Sequence, residues 1–203
     1  MILYKKDTPY FSITFDLARN EFKVLQRWKY DWNNVPGTSQ WTYAETKDFH
    51  SKVERLIRSV WGAKLLLKLS PGSILPSNYH PSVIKTSFDV SWVLDNSAHW
   101  TVAANKISAG TYPKTDLRWN TRKVQLDSVD QCPPAHAFGH KGTPVCYHPT
   151  SYRAEGVAWE NSLRDFPGMM NTGTELKQTH LAFIKQTING LIPGVKFELS
   201  YGH

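Results

Sequence analysis

Cysteine is scarce in this sequence, and long hydrophobic runs are missing. The 203 residues include two cysteines, Cys132 and Cys146, which are too few for a disulfide-stapled scaffold. The leucine run 65–67 is interrupted by Lys64 and Lys68, far short of the ~20 apolar residues that a membrane helix needs. We therefore predict a chain with no membrane span.

A secretory signal is missing too, because no apolar stretch follows Lys5 and Lys6. This pattern predicts a chain that is cytosolic, exported without a signal peptide, or cut from a longer protein. The sequence also lacks internal repeats, low-complexity segments and the GxSxG, P-loop and GxGxxG motifs. We expect a single domain over residues 1–203.

Positive charge exceeds negative charge, but it is not concentrated. Lysine and arginine total 24 and aspartate and glutamate total 17, which gives a formal net charge of +7. The densest clusters are short: Lys5 with Lys6, and Arg122 with Lys123. A scattered basic surface of this kind is usually just solvated, so we predict no nucleic-acid partner.

Hydrophobic residues make up 40% of the chain and aromatic residues 13%, which favours a sheet-rich core. Alternation of apolar and polar residues predicts strands within 9–32, 64–69, 88–94, 100–104, 117–126 and 195–199. Asp95-Asn96-Ser97 predicts a hairpin turn between the two strands that flank it.

The clearest helix is predicted over 43–61. Its apolar residues recur at a period of 3.6: Phe49, Val53, Leu56, Ile57, Val60 and Trp61. Thr42 and Glu45 have capping-box spacing, and Gly62 is placed to end the helix. Shorter helices are predicted near 131–141 and 175–189, so the fold class is α+β.

Two histidines four residues apart give the strongest chemical signal. On a helix, His136 and His140 would lie on one face about 6 Å apart, where two imidazoles can bind one metal ion. Gly139 would let another strand or loop approach that helix closely. Downstream, the glycine-rich segment 165–173 forms a turn signal around two methionines.

These segments resemble known metallopeptidases. The stretch 134–140 resembles the PxHEFGH segment of zincin-type enzymes, and 165–173 looks like the Met-turn of metzincins. Residues 168–180 are similar to the segment after the active site in bacterial toxin zincins. The segments also resemble the C-terminal metallopeptidase domain of type VI secretion spike (VgrG) proteins, and the resemblance covers about residues 130–190.

The resemblance implies a zincin-like fold with a twisted, mostly antiparallel sheet. Residues 1–125, which match in element order only, would supply that sheet and the backing helix 43–61. Residues 126–203 would supply the active-site helix, the Met-turn and the C-terminal helix.

The resemblance also implies bound Zn²⁺, with His136 and His140 as ligands, Glu175 as the third ligand and water in the fourth place. His180 is implied as a second ligand candidate or as a hydrogen-bond donor to the transition state. The third ligand stays open among further candidates: Cys146, His148, Glu155 and His180. Cys146 stands where metzincins carry that ligand, although a disulfide with Cys132 is the preferred role for it.

Ala137 stands where zincins carry the catalytic glutamate. That carboxylate takes a proton from the zinc-bound water and passes it to the leaving amine, which alanine cannot do. Either the residue was substituted to trap an inactive form, or the chain is a natural pseudoenzyme. The well-kept flanking residues favour substitution.

The resemblance implies a zinc metalloendopeptidase that acts as an antibacterial toxin and type VI secretion effector. It would be secreted without a signal peptide and act on a peptide or protein substrate in the periplasm of a target bacterium. A cognate immunity protein, and a secretion spike if the chain is part of a longer one, are the other implied partners. Two alternatives are a non-catalytic binding module with a Trp-lined groove, and a zinc-dependent cell-wall hydrolase.

Overall fold

The computed structural model describes residues 2–61, 65–76, 84–108, 111, 116–118, 120–128 and 182–201. This part of the chain has an α+β fold. Its strands are β1 (Leu3–Asp7), β2 (Ser12–Asp16), β3 (Glu21–Asn34), β4 (Leu65–Leu69), β5 (Lys85–Trp92), β6 (Trp100–Lys106), β7 (Asp116–Arg118), β8 (Lys123–Asp127) and β9 (Phe197–Tyr201). Its helices are α1 (Tyr43–Trp61) and α2 (Ala182–Ile188).

Seven of these strands form one mixed sheet around β3. β2 pairs antiparallel with the first part of β3, and β6 pairs parallel with the last part. β5 pairs parallel with β3 and brings Trp92 opposite Trp28, while β6 brings Trp100 opposite the same residue. β5 and β6 therefore flank β3, and β2 and β6 follow one another along the same side of it. β1 extends the sheet past β2, and β8 and β7 extend it past β6.

The expectation of a mostly antiparallel sheet is wrong in part for the described residues, whose main sheet is mixed. The pairings of β3 with β5, of β3 with β6 and of β6 with β8 are parallel. The predicted hairpin at Asp95-Asn96-Ser97 is also wrong, since β5 and β6 run in the same direction on opposite sides of β3. Asp95 Oδ1 instead accepts the backbone N–H of Ser97 at 3.0 Å, and the connection 93–99 passes from one side of β3 to the other.

Both hydrophobic clusters of the core lie against one face of β3, where Phe22, Val24, Trp28 and Tyr30 are buried. α1 lies against β5 and covers the end of this face that holds Trp28 and Tyr30. Its buried stripe, Phe49, Val53 and Ile57, packs with the following residues of the sheet: Trp28, Tyr30, Val90, Trp100, Val102, Ala104, Val124 and Leu126.

The other end of this face is covered by a small second sheet and by α2. β4 and β9 pair antiparallel along five residues each. Their buried residues and those of α2 pack on β2 and the start of β3: Leu65, Leu67, Ile184, Ile188, Phe197 and Leu199. β9 therefore packs in the same hydrophobic cluster as β2 and the start of β3.

Helix α1 has the predicted bounds, 43–61, and the predicted cap. Thr42 N–H donates to Glu45 Oε2 at 2.7 Å, and Glu45 N–H donates to Thr42 Oγ1 at 3.3 Å, which satisfies two N–H groups that the helix itself leaves open. Lys106 Nζ also lies 2.6 Å from Glu45 Oε1. The hydrogen bond from Lys106, with those from Thr42, lowers the pKa of Glu45 to about 2.

The remaining predicted elements have mixed outcomes. Most of the predicted strands are present, but 117–126 is two antiparallel strands, β7 and β8, with Arg122 at a positive φ of 53° in the turn between them. The helix predicted near 131–141 lies outside the described residues. Only 182–188 of the helix predicted near 175–189 is described as helix, and β1 was not predicted.

Two leucines give a matched test of this core. Leu67 in β4 is fully buried, whereas Leu94 is 82% exposed. We expect Leu67→Ala to lower the free energy of unfolding by about 2–5 kcal/mol, because the substitution leaves a cavity in a packed cluster. Leu94→Ala should change it by less than about 0.5 kcal/mol. Urea denaturation of both variants measures this, and equal effects would contradict the burial assigned to β4.

Candidate functional site

The predicted zinc-site residues lie outside the described residues. They are His136, Ala137, His140, Glu175 and His180, and the other candidates Cys132, Cys146, His148 and Glu155 lie there too. Within the described ranges, no group of three or more His, Cys, Asp and Glu side chains is arranged to hold a metal ion. No helix in those ranges is long and apolar enough to cross a membrane.

The segment 129–181 is attached to the described part at two ordered elements. It follows β8, where Asp127 is buried and accepts a hydrogen bond from Asn105 Nδ2 at 3.1 Å. Asn105 Oδ1 in turn accepts one from Asn33 Nδ2 at 3.3 Å. These three residues share one register across β3, β6 and β8, so a polar ladder marks the carboxyl edge of the parallel strands.

The far end of the segment continues into α2, which is fixed by aromatic packing. Phe183 meets Tyr10 and Phe11 edge to face, with ring centroids 5.6 and 5.5 Å apart. Such contacts add to the free energy of simple burial. The segment that carries the predicted chemistry is therefore joined at each end to an element packed in the core.

A polar cluster among the described side chains lies elsewhere, between β1, β2, β3 and the connection 93–99. It consists of Asp7, Ser12, Arg27 and His99, which we name the clasp. Arg27 ties it together with three groups: Nε donates to Ser97 O at 2.6 Å, Nη1 to Ser12 Oγ at 2.7 Å, and Nη2 to Asp7 Oδ2 at 3.2 Å.

His99 is the buried member of the clasp, with 3% of its surface exposed. Its Nδ1 accepts the backbone N–H of Arg27 at 2.9 Å, so this nitrogen carries no proton. The ring proton is therefore on Nε2, which lies 3.1 Å from Asp7 Oδ1 and 3.3 Å from Ser12 Oγ. The tautomer follows from these contacts.

Electrostatics keep both ionisable partners in these states. Burial lowers the pKa of His99 and outweighs the hydrogen bond to Asp7, which raises it, while the positive charges of Arg27 and Arg122 lower it further. Burial acts to raise the pKa of Asp7, but hydrogen bonds from Ser12 and His99 and the charge of Arg27 hold it below its ordinary value. A neutral imidazole thus faces a carboxylate.

Ser12, His99 and Asp7 share the residue types of a serine hydrolase triad but not its geometry. A triad needs a histidine lone pair directed at the serine hydroxyl, with the carboxylate on the other ring nitrogen. Here serine and carboxylate both face the protonated Nε2, and the hydroxyl of Ser12 donates to Asp7. The remaining lone pair of His99 is used by a backbone amide, so the clasp cannot activate Ser12.

A second cluster is aromatic and lies where the start of α1 meets the sheet. Tyr30 and Trp32 stack with centroids 4.6 Å apart, and Trp32 meets Trp41 at 5.0 Å and Trp92 at 5.4 Å. Because the rings lie against one another and on the core beneath, they fill the space between them. The rings of this cluster are used in packing.

His50 joins this cluster from α1. Tyr30 Oη lies 3.0 Å from His50 Nδ1. Burial, together with the charge of Glu54, raises the pKa of Tyr30, so the phenol stays protonated. Burial lowers the pKa of His50, against the charge of Glu54, which raises it. The pair therefore holds the helix to β3 in its uncharged form.

No sequence motif points to the contacts of His50 or His99. Arg27 and His99 are 72 positions apart, and Tyr30 and His50 are 20 apart, so no motif spacing joins them. Their partners follow only from the strand order.

Comparison of the chain with protein-family models, with curated proteins and with solved structures found no match.

The clasp geometry predicts that Ser12 is unreactive toward fluorophosphonates, which label activated serines. We expect no adduct on Ser12 by mass spectrometry under conditions that fully label a serine hydrolase treated in parallel. Ser12→Ala should leave any hydrolytic activity of the chain unchanged. An adduct on Ser12 would mean that His99 has its lone pair on the serine side.

Proposed function

We propose that this chain is a zinc metallopeptidase domain of an antibacterial effector, inactive as written because Ala137 replaces the general base. The observation that carries this proposal is the pairing of His136 and His140, four residues apart, with the Met-turn-like segment 165–173. The proposal rests on the sequence of the segment 129–181.

The donor set suits zinc. Two imidazoles from His136 and His140 with a carboxylate from Glu175 make a three-ligand set that catalytic zinc accepts, with one position left for water. Bound there, zinc would lower the pKa of a water ligand toward about 7 and polarise a scissile carbonyl. A glutamate at position 137 would take the proton of that water and pass it to the leaving amine. His180 would donate a hydrogen bond to the transition state.

The described part of the chain supports this proposal because packed elements precede and follow the segment 129–181. α1, to which the proposal assigns the role of backing helix, has the predicted bounds and a formed capping box. The segment 129–181 follows β8 of the main sheet and precedes α2. After α2 comes β9, which pairs with β4. A site that must hold its ligands in fixed positions requires such supports.

Two other functions remain as rivals. A non-catalytic binding module is favoured by Ala137 itself, since alanine would then be the native residue. A zinc-dependent cell-wall hydrolase would use the same ligands, and the net charge of +7 suits an anionic polymer. Release of muropeptides, set against cleavage of peptides, separates the two enzymes.

The first test concerns zinc. We expect the purified chain to bind about one zinc per molecule, and His136→Ala and His140→Ala each to abolish tight binding, because two protein ligands rarely hold zinc against water. Elemental analysis after dialysis measures this. His203→Ala is the control, since that residue has no partner at useful spacing and should leave the zinc content unchanged.

Two glutamates form a matched pair for the third ligand. Glu175→Ala should weaken zinc binding far more than Glu155→Ala. A larger effect of Glu155→Ala would identify Glu155 as the third ligand and would leave the proposal of a metal site intact. Full zinc content in the His136→Ala, His140→Ala double variant would refute the site itself.

The second test restores the general base. Ala137→Glu should leave the zinc affinity nearly unchanged, because the carboxylate would reach the metal-bound water rather than the metal. Peptide hydrolysis should rise by roughly 10²–10⁴, the usual value of general-base catalysis. The variant should also become toxic when it is directed to the bacterial periplasm.

Ala137→Gln is the matched control for this test, because glutamine has the same length but cannot accept the proton. It should behave like the alanine form in both assays. If Ala137→Glu also stays at background in peptide cleavage and in toxicity, while it binds zinc, the binding module becomes the better conclusion.

A further inference from the structure

One backbone amide in the middle of the sheet is satisfied by a side chain. On the shared side of β3, the pairing with β2 ends at Leu25 and the pairing with β6 begins at Trp28. Arg27 lies in the gap, where its N–H donates to His99 Nδ1 at 2.9 Å and its carbonyl accepts the N–H of His99 at 2.8 Å. His99 therefore completes the ladder with one ring bond and one backbone bond, because a buried N–H must find an acceptor.

We propose that His99 is an acid-sensitive latch, in which proton uptake at Nδ1 releases the connection 93–99 from β3. The ring bond depends on the lone pair of Nδ1. A proton placed there would set two N–H donors against each other at 2.9 Å, so the protonated ring cannot keep this contact. This inference does not depend on the proposed zinc chemistry.

The charged groups around the His99 ring influence how readily it takes up a proton. Asp7, from β1, faces Nε2 and favours the imidazolium. Arg27, from β3, and Arg122, from the turn before β8, oppose it, as does burial. In the closed position the ring is 3% exposed, so water cannot solvate the charge until the latch opens. The open position therefore takes up the proton more readily than the closed one.

Release of His99 would open a local part of the molecule. The ring of His99 holds the last residue of the connection 93–99. The hydrogen bond from Arg27 Nε to Ser97 O holds the connection at Ser97. Residues 94–97 are exposed, and the two hydrophobic clusters do not include His99. Acid should thus free the connection between β5 and β6 before it unfolds the core.

The sign of the pH dependence follows from linkage. The open state has an ordinary histidine pKa of about 6.5, and the closed state has a lower one, so opening takes up a proton as the pH falls below about 6.5. The opening constant should then rise about tenfold for each pH unit below about 6.5.

Hydrogen exchange of the full chain, followed by NMR between pH 7.5 and pH 5, tests this latch. The protection factor of the Arg27 amide, corrected for the intrinsic pH dependence of exchange, should fall about tenfold per pH unit below about 6.5. Amides within the core of β3 should stay protected. The ring nitrogens of His99 should show Nε2–H alone at pH 7.5, with Nδ1 gaining a proton in the same pH interval.

Two variants serve as controls. His99→Asn keeps an acceptor near the position of Nδ1 but does not titrate in this range, so protection of Arg27 should become independent of pH. His50→Asn removes the other described histidine with a lowered pKa and should leave the pH dependence of Arg27 intact.

Three results would overturn the latch. They are a constant protection factor in the unaltered chain, an equal pH dependence in His99→Asn, and a protonated Nδ1 while the Arg27 amide stays protected. The last result needs no variant, so the test stands even if His99→Asn fails to fold.

Discussion

The rest of the described structure depends on the hydrogen bonding of one strand. β3 has 14 residues and pairs with β2, β5 and β6, more partners than any other described strand has. Each backbone N–H along it must find an acceptor, and at Arg27 the change of partner from β2 to β6 leaves none in a strand. His99 supplies that acceptor, which fixes where the connection 93–99 crosses. Trp28, next along β3, is in register with Trp92 and Trp100 of the two flanking strands.

The sequence predicted features whose causes are local. The bounds of α1 follow from a cap at Thr42 and Glu45 and from an apolar stripe, all within about 20 residues. The strands follow from alternation in the same way. Their directions do not, because period-2 alternation is identical in parallel and antiparallel strands. The hairpin predicted at Asp95-Asn96-Ser97 failed for this reason: the turn residues were read correctly as a turn, but the partner of both flanking strands is β3.

The same limit applies to the candidate sites. Spacing on a helix can pair His136 with His140, since residues four apart share a face, but a third zinc ligand comes from a distant part of the chain and has no fixed spacing. His99 shows this within the described residues. Its partners Asp7 and Arg27 are 92 and 72 positions away, and nothing near residue 99 in the sequence points to them.

Hydrolytic activity at the clasp and at the proposed zinc site would each require a lone pair that is free to accept a proton. In the clasp, Ser12 and Asp7 contact an imidazole whose lone pair already accepts a backbone N–H. These three residue types, which also form catalytic triads, therefore have a structural role here. At position 137 the methyl group of alanine has no lone pair at all, although His136, a proposed zinc ligand, is next to it in the sequence. Hydrolysis needs a group that can take a proton and return it. A carboxylate at 137 is therefore the single change that distinguishes an inactivated enzyme from a binding module, since it alters neither the proposed ligands nor the frame around β3.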